Sequence, residues 1–214
     1  FKEMKKLMIL IIGMLVLSLV PVTTESKPLN NRLNPRILIP PKPGVDAHYY
    51  YPFSLEMHAP PIPVTTVKAI LIPIDFPDLS HSSSHTQSYF QSMLTGSSNS
   101  IKDYYDEVSY GNVNVIGDVT QWFTADNGHA YYGGDGTYTD ENVVDLIIEA
   151  VQKADPYVDF SQYDLDNDGY VDNLMVVHAG QDQAASGDPN DIWSHVGYIY
   201  SQPVVDGVRV AYYL

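Results

Sequence analysis

The residues best suited to chemistry lie in Asp164-Leu165-Asp166-Asn167-Asp168-Gly169-Tyr170-Val171-Asp172-Asn173. Carboxylates occupy loop positions one, three, five and nine, with glycine at six and an apolar residue at eight. Aspartates this close in a compact turn repel one another unless a cation sits among them. A hard divalent ion with six to eight oxygen ligands answers that repulsion, and calcium fits best. The expected metal ligands are the side chains of Asp164, Asp166 and Asp168, the backbone carbonyl of Tyr170, and Asp172 directly or through water. Gly169 permits the sharp turn around the ion. Position twelve, the bidentate glutamate of an EF-hand, holds Met175. The last ligand then comes from elsewhere, or the site is weak. The competing reading is an Asp/Asn/Gly turn between two elements.

Such a loop must be carried by a folded body, and the composition supplies one. The 214 residues are 44% hydrophobic and 12% aromatic, enough for a packed core. The net charge of −15 is unevenly placed. From Asp103 to Leu214 there are 20 Asp and Glu against Lys153 and Arg209, whereas Lys27 to Lys102 holds four acids and six bases. An acidic body repels phosphate backbones and anionic lipid, so no nucleic-acid partner is expected. The absence of cysteine excludes disulfides, thiolate zinc sites and a cysteine nucleophile. Calcium is then a physical substitute for a covalent staple.

Lys5-Lys6 precede the apolar run Leu7 to Val20, which Pro21 ends. Its fourteen residues suit a signal peptide and fall short of the ~20 that span a bilayer. Residues 1–26 are read as a cleaved signal, with an uncleaved anchor as the alternative. The protein is therefore expected to be secreted, with no membrane contact after cleavage. Residues 27–66 hold nine of the fifteen prolines and read as a linker or pro-segment. The folded domain is expected over 67–214.

Val67 to Ile74 reads as a buried central strand, ending in a turn at Asp75 to Asp78. A helix is expected over Thr86 to Leu94. Another starts at Ser100, with Ile101, Tyr104, Tyr105 and Val108 on one buried face and Gly111 at its close. The spacing predicts a hairpin for Val113 to Phe123 around Gly117-Asp118, then a Tyr/Gly loop over Ala125 to Thr139. Asp140 to Ala154 is the clearest helix, with Asp140 as its cap. Leu174 to Val177 reads as a second buried strand, and Val204 to Tyr213 as a hairpin around Asp206-Gly207. The fold class is α/β (α+β), a mixed sheet with packed helices.

Four stretches taken together resemble the immune inhibitor A family of secreted zinc metallopeptidases. They are Ala69 to Asp78 (AILIPIDFPD), Ser100 to Gly111 (SIKDYYDEVSYG), Asp164 to Gly180 (DLDNDGYVDNLMVVHAG) and Ser186 to His195 (SGDPNDIWSH). The resemblance implies a zincin-like N-terminal lobe of a catalytic domain, calcium-stabilised, with protein or peptide substrates. The family carries His-Glu-x-x-His on a helix, where two histidines bind zinc and the glutamate activates water. This chain has no such motif. The chain is therefore expected to be an incomplete domain, inactive alone and monomeric, with catalytic zinc bound only in a longer protein. The alternative is a non-catalytic, calcium-stabilised extracellular binding or adhesion module.

Other candidates carry less. His81 and His85 have the zincin histidine spacing without the glutamate, in a serine-rich stretch read as a solvated loop. His178 and His195 stand in family-like stretches and could border a cleft, or serve only as hydrogen-bonded structural residues. Asp188 and Asp191 could form a second cation site, and a turn is the simpler reading. Tyr104, Tyr105 and Tyr110 could form a carbohydrate platform, but their helical spacing assigns them to the core.

Overall fold

The computed structural model describes residues 64–136 and 140–214. The signal segment and most of the proline-rich stretch lie outside the described residues. β1 (Thr65–Asp75) is the longest strand and the centre of the sheet. It pairs in parallel along one edge with β2 (Val113–Val119), then with β3 (Phe123–Thr124) further along. Its other edge pairs in parallel with β4 (Leu174–His178). The overlap at Ile70, Leu71 and Ile74 puts β4 opposite both β2 and β3. Beyond β4, the Val176 N–H donates to the Leu214 carbonyl at 2.8 Å, and the Leu214 N–H donates back to Leu174 at 3.0 Å.

Alternation along β1 feeds two cores. Ile70, Ile72, Ile74 and Phe76 face the larger one, and Val67, Ala69 and Leu71 the smaller. On the smaller side lie α1 (Gln87–Thr95) and α2 (Ile101–Val108), which bury Phe90, Leu94, Ile101 and Tyr105. On the larger side α3 (His129–Gly133) precedes α4 (Val143–Ala154), which buries Leu146, Ile147, Ala150 and Val151. Burial on both faces is why β1 is an unbroken apolar run. Each fully buried aliphatic side chain contributes about 1.5–3 kcal/mol of transfer free energy.

Several expectations need correction. The expected hairpin at Val113 to Phe123 is two parallel strands beside β1 instead. Gly117-Asp118 do not turn, and Gly117 pairs directly with Ala69. The single mixed sheet divides into a parallel four-stranded sheet and two small antiparallel pairs. One pair is β5 (Gly197–Tyr198) with β8 (Tyr212–Tyr213). The other is β6 (Val204–Val205) with β7 (Val208–Arg209), turning at Asp206-Gly207 as expected. Asp140 does not cap α4, which begins at Val143; its backbone has a positive φ of 52° and its side chain is buried. On α2, Ser100 caps as expected by accepting from the Asp103 N–H at 3.0 Å. Val108 and Tyr110, however, are exposed, at 49% and 93%. The eight residues of α2 bury only its Ile101–Tyr105 stripe. The Tyr/Gly loop contains α3.

Candidate functional site

The acidic loop is clamped at both ends. Before it, a 3₁₀ turn (Phe160–Tyr163) buries Phe160 and Tyr163. After it, Val171 is buried and Asn173 reaches β1, its side-chain amide donating to the Lys68 carbonyl at 3.2 Å. The β6–β7 hairpin lies alongside: the Val171 N–H donates to Arg209 O and the Arg209 N–H to Gly169 O, each at 2.9 Å. Asn167 and Gly169 take left-handed backbone conformations, at φ 59° and 87°, and make the sharp turn.

Within this frame Asp164, Asp166 and Asp172 each place a carboxylate oxygen within 4.8 Å of the others. Two ligands of one calcium, bonded at 2.3–2.6 Å, stand at most roughly 4.6–5.2 Å apart, so the trio suits that ion. Asp164 also accepts from the Asp168 and Gly169 N–H groups at 3.1 and 3.0 Å, and Asp172 accepts from Leu165 N–H at 2.9 Å. Asp168 stands outside the trio, its carboxylate accepting from the Tyr170 N–H at 2.9 Å. Burial raises the Asp172 carboxyl above its ordinary value, and the charges of Asp166, Asp164 and Asp168 push it further up. A bound cation would relieve that repulsion.

A second concentration of polar groups lies at the carboxyl ends of β1, β3 and β4, where open α/β sheets tend to bind ligands. Asp75 is buried, accepting from Thr124 Oγ1 at 2.8 Å and pairing with His81 Nδ1 at 2.7 Å. The His81 ring stacks on Trp122 at 4.0 Å. His81 is thus fixed rather than solvated. His85 stacks on Tyr89 instead, so the two histidines face different partners.

His178 ends β4, its Nδ1 lying 2.9 Å from the Ala179 carbonyl. Burial holds its pKa below the usual histidine value. Since a carbonyl only accepts, Nδ1 carries the hydrogen and Nε2 keeps a lone pair. His195 is held on both sides, by the Trp193 carbonyl at 2.6 Å and the Tyr213 hydroxyl at 2.9 Å, as a structural histidine would be. An apolar cavity of about 110 Å³ lies between α4 and β4, lined by Leu146, Ile147, Val176 and Ile192 and edged by His178 and His195.

Asp188 caps the turn read from the sequence, accepting from the Asn190 N–H at 2.9 Å. Asp191 leaves that turn to face His129, which sequence reasoning missed. His129 carries no metal-like spacing to another histidine; only the fold brings it to Asp191 and His178. Asp140 was likewise misassigned: its carboxylate accepts from the Trp193 N–H at 3.1 and 3.2 Å. Among the described residues, no helix is long and apolar enough to cross a membrane.

The catalytic domain of immune inhibitor A peptidase M6 matches residues 64–211. Pre-pro-metalloprotease PrtV of Vibrio cholerae serotype O1 (strain M66-2) is 29% identical over 187 residues, covering 67% of this chain and 20% of the relative. Immune inhibitor A of Bacillus thuringiensis subsp. alesti is 32% identical over 131 residues, covering 50% of this chain and 19% of the relative. The chain thus spans about a fifth of the length of these relatives.

Proposed function

Because the chain belongs to the immune inhibitor A family of metallopeptidases, we propose that it is the front part of the catalytic domain of a secreted zinc-dependent endopeptidase. The observation that carries this reading is the family match across 64–211, which takes in both the sheet and the acidic loop. The names of the relatives, a metalloprotease and immune inhibitor A, support protein substrates.

In this reading residues 1–26 direct export, 27–66 form a linker or pro-segment, and 67–214 supply the sheet and one wall of the cleft. Calcium bound by Asp164, Asp166 and Asp172, with the Tyr170 carbonyl as a further ligand and Asp168 bracing the loop through the Tyr170 N–H, fixes the loop that leads into β4. Zinc is held by a His-Glu-x-x-His segment encoded after Leu214, where it would polarise the scissile carbonyl while the glutamate takes the proton from water. The residues present here position substrate and hold β4 in register.

The test has two parts. The coding sequence after Leu214 is expected to contain His-Glu-x-x-His, and the longer product to cleave casein in a way that a zinc chelator abolishes. The 214-residue chain is expected to leave casein intact. A longer product without the motif and without cleavage would replace this reading with that of a non-catalytic module. Chelator-sensitive cleavage by the 214-residue chain would show that the chemistry resides in the residues described above.

A further inference from the structure

The acidic loop is built against the β6–β7 hairpin. Among the described residues these two strands pair with each other and, through Arg209, with the loop. The Arg209 N–H donates to the Gly169 carbonyl, and the Arg209 carbonyl accepts from the Val171 N–H. One hairpin residue thus brackets Tyr170 from both sides. The hairpin tip holds the other end of the loop. There the Asp206 carboxylate accepts from the Phe160 N–H at 2.8 Å, in the 3₁₀ turn that precedes Asp164.

Strands of two residues are marginal on their own, so their order depends on what they rest against. Val205, Val208 and Val210 anchor the base of the hairpin in the larger core. Its remaining backbone support is the acidic loop. The segment then runs on to the sheet: the Ala211 carbonyl accepts from the Ile199 N–H at 2.8 Å, β8 pairs with β5, and Leu214 exchanges backbone bonds with Leu174 and Val176 on the outer edge of β4. Three carboxylates drawn together in the loop repel one another when no cation lies among them. Relief comes from parting Asp164 and Asp172, which moves the Gly169–Val171 backbone that Arg209 grips.

We propose that calcium in the acidic loop sets the order of the β6–β7 hairpin and, through it, the pairing of Leu214 with the outer edge of β4. The proposal rests on the calcium reading given above. Ion binding and hairpin seating are coupled, so each strengthens the other by the same factor.

The test is amide hydrogen exchange of the 214-residue chain in calcium and in chelator, with calorimetry to measure binding. An amide that opens only when the ion leaves slows about 100-fold at calcium 100 times its dissociation constant. Val210 and Leu214, both outside the loop, are expected to slow by that factor. In chelator both are expected to exchange faster than Thr120, whose N–H bonds the Leu71 carbonyl of β1 at 3.0 Å, which separates their opening from global unfolding. Gly96, at the end of α1, opens locally and should not respond. Asp206→Gly removes the bond to Phe160 without touching an ion ligand, and glycine accepts the positive φ of 48° at the tip. This variant is expected to bind calcium at least ~5-fold more weakly. Absence of calcium binding by the parent would overturn the calcium reading and the proposal together. Calcium binding that leaves Val210 and Leu214 unchanged, or that Asp206→Gly does not weaken, would overturn the proposal alone.

Discussion

The Tyr163 hydroxyl donates to the Asp118 carboxylate at 2.7 Å, joining the turn before the acidic loop to the end of β2. The Lys68 ammonium lies 4.6 Å above the same ring. Burial raises the Tyr163 pKa, and the hydrogen bond to Asp118 raises it further, so the phenol remains a donor at any physiological pH. Tyr163→Phe removes a hydrogen bond to a charged group and is expected to cost about 1.5–3 kcal/mol. Asp118→Asn keeps an acceptor and is expected to cost less. Denaturant midpoints of the two variants check the order.

The carboxylate trio predicts a calcium response. Calcium at 100 times its dissociation constant adds about 2.7 kcal/mol, which for a domain of this size raises the melting temperature by roughly 5–10 °C. Asp166→Ala is expected to remove most of that rise. Asp168→Asn is expected to keep more of it, because Asp168 already serves the Tyr170 N–H. Calorimetry with calcium and with chelator distinguishes the two variants. An equal loss in both would mean that Asp168 swings into the ion's shell.

Periodicity and composition made some parts of this chain legible and left others dark. β1 could be read because both of its faces are buried, so eight consecutive residues from Val67 to Ile74 carry the signal. The acidic loop could be read because its ligands are local in sequence. The Val113 to Phe123 segment was misread because Gly117-Asp118 looks like a turn; Gly117 instead gives way to the Ala69 carbonyl of the adjacent strand, which a Cβ would strike. Asp140 looked like a cap because it precedes an apolar stripe, yet its partner is the backbone of Trp193, more than fifty residues away. His129 gave no local signal at all, since its partners arrive from β4 and from the turn at Asp191.

Asp140 also predicts a pH dependence. Burial is the main cause of its raised pKa, with the charges of Asp135 and Asp182 adding to it; the Trp193 N–H and His195 oppose the shift. A carboxyl raised in the folded state stabilises the fold below its unfolded pKa, and that contribution is lost as pH rises through the folded value. Asp140→Asn has no proton to lose, and asparagine tolerates the positive φ. The stability gap between variant and parent is therefore expected to shift in favour of the variant as pH rises from 4 to 7, read from urea midpoints. A gap independent of pH would show that Asp140 keeps one charge state across that range.

The seating of α3 on the Asp188–Ile192 turn predicts the sharpest single substitution. The Asp135 N–H donates to the Pro189 carbonyl at 3.0 Å, and Gln183 N–H to Ile192 O at 3.1 Å, so the turn is held on both sides. At Gly133 an added Cβ would run into the Asn190 carbonyl and lie 3.0 Å from both the Asp191 carbonyl carbon and Ile192 Cγ1. These are largely backbone atoms, which cannot rotate away as a flexible side chain would. Gly133→Ala is expected to cost about 1–3 kcal/mol through overpacking, although alanine normally favours a helix. Because His129 begins the same helix, the displacement should also widen the His129–Asp191 approach. Denaturant midpoints of variant and parent check the cost. A variant as stable as the parent would mean that α3 and this turn are not in contact in solution.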